Sequence, residues 1–279
     1  VPLFVGMTAP WENAGSMRNS GWELSLSWQD RIGNVNYYVK GNLSDVKNKV
    51  IDLYGKEYVG TTTITKEGEE YNSWYGYVAD GYFQSREEIN NSPVYGGNPN
   101  NIKPGYIKYK DISGPDGVPD GKIDNYDRTI LGNSTPRYEF GLTLGGDWKG
   151  LDFSLFFQGV GKRDVYYSGA GARALSGNYT IYKYQLDYWT EDNPHAKFPI
   201  LLEDPSGTNP NNMISSFWVK SGAYCRLKNI VLGYTLPQTW IQKAALSKVR
   251  IYASAQNLFT IKNNFYEGFD PENSIGSGA

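Results

Sequence analysis

The chain reads as all-β: a segment of the wall of an antiparallel transmembrane β-barrel, carrying long loops at one end. Three observations predict this. First, several segments alternate apolar and polar residues with a period of two. In Trp22-Glu23-Leu24-Ser25-Leu26-Ser27-Trp28-Gln29 every even position is apolar and every odd position polar, so one face of an extended strand is greasy and the other wet. Second, the wet faces repeat Ser, Asn, Gln, Asp and Lys, as in a barrel with a hydrated lumen. Third, short connections alternate with very long ones, the asymmetry of an outer-membrane barrel.

Six strands follow in order. The first is Gly21 to Gln29, closed by the short turn Asp30-Arg31-Ile32-Gly33-Asn34, where Gly and Asn tolerate turn dihedrals. The second, Val35 to Ser44, puts Val35, Tyr37, Val39 and Leu43 on one face and Asn36, Tyr38, Lys40, Asn42 and Ser44 on the other. A long loop, 45–136, comes next, far beyond the usual ~4–6 residues. The third strand, Tyr138 to Trp148, points Tyr138, Phe140, Leu142, Leu144 and Trp148 outward, and Glu139, Thr143 and Asp147 inward. Lys149-Gly150 is a tight turn. The fourth, Leu151 to Val160, points Leu151, Phe153, Leu155 and Phe157 outward, and Asp152, Ser154 and Gln158 inward. A second long loop spans 161–222. The fifth, Tyr224 to Leu236, changes parity near Lys228-Asn229, which reads as a bulge. Gln238 to Leu246 lacks Gly and Pro and suits a short helix. The sixth, Val249 to about Leu258, points Val249, Ile251, Ala253 and Ala255 outward, and Arg250, Tyr252, Ser254 and Gln256 inward. Strands of ~10 residues cross a bilayer when tilted, and Trp22, Trp28, Trp148 and Tyr138 then sit where aromatic girdles belong.

Composition agrees. The chain has 279 residues, 39% hydrophobic and 15% aromatic, with 23 Tyr and a mean hydropathy of −0.53. No apolar run is long enough for a transmembrane helix, whereas barrel strands average out as hydrophilic. The 32 Gly and 14 Pro suit turns and loops. A net charge of −2 with no basic run argues against a nucleic-acid partner. Cys225 is the single cysteine, so neither an internal disulfide framework nor a cysteine-built zinc site is available. Val1 to Pro10 reads as loop, without the pattern of a signal peptide. Six strands do not close a barrel of this kind, so the chain is expected to be a piece of a larger one; Ser277-Gly278-Ala279 is not a closing apolar strand.

Specific words reinforce the pattern. Asn13-Ala14-Gly15-Ser16-Met17-Arg18-Asn19-Ser20-Gly21-Trp22-Glu23-Leu24-Ser25, the Tyr106 to Gly132 stretch, Tyr188-Trp189-Thr190-Glu191-Asp192-Asn193-Pro194, Tyr224-Cys225-Arg226-Leu227-Lys228-Asn229-Ile230-Val231-Leu232-Gly233-Tyr234-Thr235-Leu236-Pro237, Arg250 to Thr260, and Gly268-Phe269-Asp270-Pro271-Glu272 resemble, in matching order, the stretches of SusC/RagA-type TonB-dependent transporters. The resemblance covers nearly the whole chain. It implies the C-terminal part of a barrel of about 22 strands, without the family's N-terminal plug and TonB-box segment and without the final strand expected after Glu272. It implies uptake of oligosaccharides or peptides across the outer membrane of Bacteroidetes-type bacteria. The implied partners are a SusD-type surface lipoprotein, TonB acting through the missing N-terminal region, the substrate glycan or peptide, and the lipid bilayer.

The richest acidic stretch, Asp111 to Asp127, places Asp116, Asp120, Asp124 and Asp127 at positions 1, 5, 9 and 12 of a calcium loop, with Gly121 at position 6. Val118 at position 3 cannot ligate through its side chain, and Asp127 is one methylene shorter than the usual Glu. Two readings stand: a structural Ca²⁺, which Asp111 can also serve if the loop folds differently, and a metal-free, hydrogen-bonded loop of Pro-Asp-Gly turns. The loops concentrate aromatics, Tyr71, Trp74, Tyr75, Tyr77, Tyr82 and Phe83, then Tyr166, Tyr167, Tyr179, Tyr182, Tyr184 and Trp189. Trp74, Tyr75, Tyr82, Tyr166 and Tyr167 are candidates for stacking on substrate sugars; packing of loops on each other, or on a lipoprotein lid, is the plainer reading for any single ring. No enzyme is expected. His195 is the only histidine and has no spaced partner for nucleophilic catalysis. Glu69-Glu70 and Glu87-Glu88 are adjacent, so in extended chain they diverge. Gly159-Val160-Gly161-Lys162 is followed by Arg163 where a phosphate loop needs Ser or Thr. The polar residues Glu23, Lys40, Glu139, Asp147, Asp152, Arg250 and Gln256 are expected to bond across the wall or to the plug. The rival class is a soluble carbohydrate-binding β-protein, a sandwich whose two apolar faces meet.

Overall fold

The computed structural model describes residues 15–169, 171–175, 180–203, 209–244, 246–263, 265 and 267–272. Tyr179, residues 1–14 and the last seven residues lie outside the described residues. In chain order the strands are β1 (Ser16–Ile32), β2 (Val35–Asp52), β3 (Tyr58–Val59), β4 (Thr63–Thr65), β5 (Ser73–Tyr77), β6 (Ala79–Tyr82), β7 (Ile107–Tyr109), β8 (Arg128–Gly132), β9 (Arg137–Trp148), β10 (Leu151–Lys162), β11 (Asp164–Tyr166), β12 (Val219–Ser221), β13 (Tyr224–Thr235) and β14 (Arg250–Lys262). The helices are α1 (Arg86–Asn90) and α2 (Gln238–Ile241), with several 3₁₀ turns.

The six expected strands form one antiparallel sheet in the order β1-β2-β9-β10-β13-β14. Tight turns join β1 to β2 and β9 to β10. Gly33 (φ +61°) supplies the positive φ of the first, Lys149 (φ +48°) and Gly150 (φ +90°) that of the second. α2 lies in the medium connection, where a helix was expected. One end of the sheet is thus a row of hairpins and the other feeds the long loops. The sheet does not close on itself, and β1 and β14 are its edges.

The faces separate as the alternation predicts. Val35, Trp148, Leu151, Tyr234 and Ile251 are register partners across five strands and occupy the apolar face. That face is uncovered: Trp22 is 47% exposed, Leu26 66%, Trp28 61% and Ile251 64%. A sandwich would bury these side chains under a second sheet, and among the described residues none lies there. The polar face is cross-linked instead. Asn36 donates to Asp147 at 2.8 Å, Arg250 forks onto Asp152 at 2.9 and 2.5 Å, and the Tyr38 ring lies over Gly145 with its hydroxyl 3.4 Å from Ser154.

Several boundaries differ from the sequence expectation. β1 starts at Ser16 and runs through Asp30-Arg31-Ile32, which read as turn but pair with Tyr37, Asn36 and Val35, leaving only Gly33-Asn34 to turn, and β14 runs on to Lys262. β2 continues eight residues past Ser44, to Asp52, paired with β1 back to Ser16. The charged run Asp45-Val46-Lys47-Asn48-Lys49 reads as loop because it lacks a greasy face, yet it still completes a ladder. The parity change at Lys228 is a bulge as expected, with Leu227 and Asn229 flanking the unpaired residue in both ladders. Its counterpart in β14 was not foreseen: Asn257 takes φ +52° and, with Leu258, is skipped by the pairing.

The buried core lies in the loops rather than the sheet. The 53–136 connection folds into the four-stranded sheet β3-β4-β5-β8 and the β6-β7 pair, and the 163–223 connection contributes β11-β12. The two are laced together: Tyr77 N–H donates to Ile214 C=O at 3.0 Å, and Ser216 N–H to Tyr77 C=O at 2.9 Å. Tyr77, Ile107, Tyr109, Ile123, Val165, Phe198, Ile214 and Trp218 form one apolar cluster, and Phe83, Ile89, Val94, Ile102 and Tyr106 a second.

Candidate functional site

The loop layer is where a barrel of this shape meets a ligand, and its architecture assigns each candidate ring a task. Trp74 in β5 donates its indole N–H to Asp164 C=O at 2.9 Å and packs on Tyr166, centroids 5.7 Å apart. Tyr75 lies under the Arg128 guanidinium, 4.5 Å from the ring centroid; that guanidinium also donates to the carbonyls of Gly60, Thr61 and Tyr75. Tyr82 donates its hydroxyl to Lys197 C=O at 3.1 Å, and burial pushes that hydroxyl above the ordinary phenol range. Tyr166 is buried and accepts a hydrogen bond from Arg173 at 2.7 Å. Tyr167 is buried against Phe269, edge to face at 5.8 Å. All five rings therefore have packing partners inside the layer. The most exposed tyrosines of the layer are elsewhere, at Tyr54, Tyr58, Tyr71, Tyr126 and Tyr182. Tyr182 stacks on Tyr184 at 5.7 Å and 12°, and burial raises the Tyr184 hydroxyl to about 12.

The acidic loop is held by its own backbone. Asp127 is fully buried; one carboxylate oxygen accepts Ile112 and Ser113 N–H at 2.8 and 3.2 Å, the other Asp124 N–H at 2.8 Å. Asp124 accepts Tyr126 N–H, Asp120 accepts Lys122 N–H, Asp111 accepts Gly121 N–H, and Asp116 is exposed. Among the described residues no three His, Cys, Asp or Glu side chains converge as a cation site. The donors that hold Asp127 are backbone N–H groups, while the Asp111 Oδ1 is buried without a hydrogen-bond partner.

Two ion-pair groups tie the loop layer to the sheet. Arg137, at the loop end of β9, forks onto the buried Asp45 of β2, one arm at 2.6 Å, and stands 3.6 Å from Glu70. Arg226, only 6% exposed, reaches Asp270 at 2.7 Å, Glu272 at 3.1 Å and Thr260 at 2.7 Å, while Lys228 grips Glu272 at 2.8 Å. Arg226 and Lys228, two residues apart on β13, both reach the Glu272 carboxylate. Arg163 donates to Pro271 C=O at 2.8 Å, and Phe265 and Phe269 pack on the loop core. The 268–272 segment is thereby clasped to the wall. The Arg226 guanidinium holds the Asp270 carboxyl below the usual range, against the effect of partial burial. Sequence reasoning named the words that contain these residues without pairing them; their opposite charges were the available signal. Of the expected polar-face residues, Asp147, Asp152 and Arg250 bond across the wall, and Lys40 lies 5.4 Å from the Tyr38 ring centroid. His195 is exposed on the loop layer and Cys225 is a free cysteine on β13. Glu88 joins Lys108 at 2.8 Å: burial alone would raise its carboxyl, but the Gln84 N–H and Lys108 hold it low.

A six-stranded antiparallel wall with one uncovered apolar face, one cross-linked polar face and a laced loop layer matches part of a β-barrel of the kind found in TonB-dependent receptors. The chain is a homologue of TonB-dependent receptors over part of their length. It is 29% identical over 289 residues to TonB-dependent receptor P3 of Formosa agariphila and 30% identical over 287 residues to TonB-dependent receptor P26 of the same organism, covering 98% of this chain in both comparisons. It spans 27% of the length of either relative. The relatives are receptors rather than enzymes. No protein-family model matches the chain. Among solved structures, the RagAB peptide importer in its open-open state superposes with a TM-score of 0.69 at 24% identity, over 99% of this chain and 28% of that one. The RagAB peptide transporter gives 0.68, also at 24% identity, over 98% of this chain and 28% of that one. These likenesses concern the fold.

Proposed function

We propose that the parent protein is an outer-membrane importer of the SusC/RagA type, driven through TonB and taking up oligosaccharides or peptides with a SusD-type surface lipoprotein. The observation that carries this reading is the uncovered apolar face. Ten residues separate Tyr138 from Trp148 and Trp22 from Ile32. At ~3.3 Å per residue and ~40° tilt, that span rises ~25 Å, the height of a barrel's lipid-facing band. Water-soluble proteins do not leave so large an apolar surface bare. The hairpin end then faces the periplasm and the loop layer the cell exterior. No helix among the described residues is long and apolar enough to cross a membrane; the crossing is by strands. The likeness to the RagAB peptide importer supports a peptide cargo in general terms, and the exposed loop-layer rings, Tyr54, Tyr58, Tyr71, Tyr126 and Tyr182 among them, are available to meet substrate or lid.

The test is fractionation of the full-length protein from its source cells, with a pull-down for surface lipoproteins. Detergent-dependent recovery in the outer-membrane fraction with a lipoprotein attached is the expected result. Recovery as a monodisperse soluble protein without detergent would overturn the reading.

A further inference from the structure

The loop layer encloses a small cavity that packing does not fill. It measures about 40 Å³ and is lined by Arg173, Asn211 and an apolar wall that includes Phe198, Ile200, Leu202 and Trp218. That is room for a few waters or one small polar group. Its charge is uncompensated: among the described residues no acid lines it, and the half-buried Arg173 makes no ion pair. Neutral acceptors fix the guanidinium instead. Its Nη2 donates to the Tyr166 hydroxyl at 2.7 Å and to Asn212 C=O at 2.9 Å, which leaves the N–H groups of Nε and Nη1 unused. Asn211 is the second mark. It is only 5% exposed. Its Oδ1 accepts Ile107 N–H at 2.7 Å, but its Nδ2 is buried with no acceptor. A buried donor left unmet is a standing cost, which an entering acceptor removes. Leu202 and Asn209 line both this cavity and a wider groove of about 450 Å³ that runs along Tyr95 and Lys103.

A fixed cation without a counter-ion, beside an orphaned amide N–H, calls for an anion that accepts on more than one side. One arginine balances one negative charge, and an apolar wall suits the carbon that carries a carboxylate better than a fully hydrated phosphate. We propose that the cavity binds a carboxylate, which accepts from the Arg173 guanidinium and the Asn211 amide while the rest of the ligand lies in the Tyr95–Lys103 groove. Its role rests on the importer reading above: the carboxylate then belongs to the cargo, as a peptide C-terminus or a uronic sugar.

The experiment uses the full-length protein, purified in detergent from its source cells and titrated by calorimetry. The probes are N-acetyl-L-alanyl-L-alanine with its C-terminal amide, and D-glucuronate with D-glucose. Wild type is expected to bind one of the acids about tenfold more tightly than its uncharged counterpart, and the acid that does so identifies the source of the carboxylate. Arg173→Gln and Asn211→Asp are each expected to weaken that binding about tenfold. Asp at position 211 keeps the acceptor for Ile107 N–H, removes the Nδ2 donor and repels a carboxylate. Ala174→Leu narrows the cavity, which Ala174 also lines, and is expected to weaken binding while both donors stay in place. Val118→Ala, in the acidic loop, is expected to change nothing, and an unchanged limited-proteolysis pattern shows that each variant folds. Equal binding of each acid and its counterpart, or acid binding that all three cavity variants retain, overturns the site and leaves the importer reading intact. Acid-selective binding by a full-length protein that fractionates away from the outer membrane keeps the site and overturns the importer reading.

Discussion

Single residues decide how the loop layer closes. Gly105 has φ +85°, and a Cβ there would lie 2.7 Å from the Ile200 Cβ and against the Trp189 ring. Its N–H donates to Phe83 C=O at 2.7 Å and its C=O accepts from Ile200 N–H at 3.1 Å, so it joins the two connections. Gly105→Ala is expected to cost about 2–4 kcal/mol through strain and overpacking. Faster limited proteolysis of the loops, with the barrel itself intact, would show it. Asp270 offers a pH test. Its folded carboxyl titrates below the unfolded one, so its contribution is complete above the ordinary aspartate range and is lost as pH falls through the lowered value. Proteolytic release of the 263–272 region is expected to rise across that window, and Asp270→Asn to abolish the step. A pH-independent release rate in the unsubstituted protein would show that the clasp does not titrate.

At the scale of elements, the acidic loop shows how one sequence pattern serves two physical ends. Spacing alone fits a calcium loop and a turn-rich loop equally, because both need carboxylates near backbone bends. What separates them is where Asp127 points, a tertiary fact. Asp127 here accepts from three backbone N–H donors. Asp127→Asn is expected to cost about 2–3 kcal/mol by removing charge-assisted bonds in a buried site. If the loop is metal-free, a chelator leaves the thermal transition of the full-length protein unchanged; a fall of several degrees on chelation, restored by Ca²⁺, would show a structural metal. The strands were far more legible. Period-two alternation fixes a face by geometry, so all six wall strands and the Lys228 bulge could be read from residue order. The extension of β2 past Ser44 could not, since Asp45 to Lys49 alternate without a greasy face and acquire partners only from β1.

The whole molecule divides its stabilising terms between two environments. In the wall, ladder hydrogen bonds and polar-face links do the work, while the apolar face stays uncovered. In the loop layer, burial of aromatic side chains dominates. That is why Trp74, Tyr75, Tyr82, Tyr166 and Tyr167 invited a ligand reading from composition: a ring that stacks on sugar and a ring that fills a core are the same residue until burial is known. Phe265 went unremarked, and Phe269 was named only within its word, for the complementary reason. They follow the last strand in a segment with no periodicity, and only the folded chain brings them against Phe198, Phe217 and Tyr167.

Because the loop layer owns a core, it need not borrow shape from the wall beneath it. The chain enters and leaves it near Asp52, Arg137, Lys162, Tyr224 and Lys262, and the ion pairs at Arg137 and Arg226 dock it. Because two connections separated by β9 and β10 build that one core, a change in either is felt by the other, and the layer responds as a unit above a wall whose alternation is independent of it.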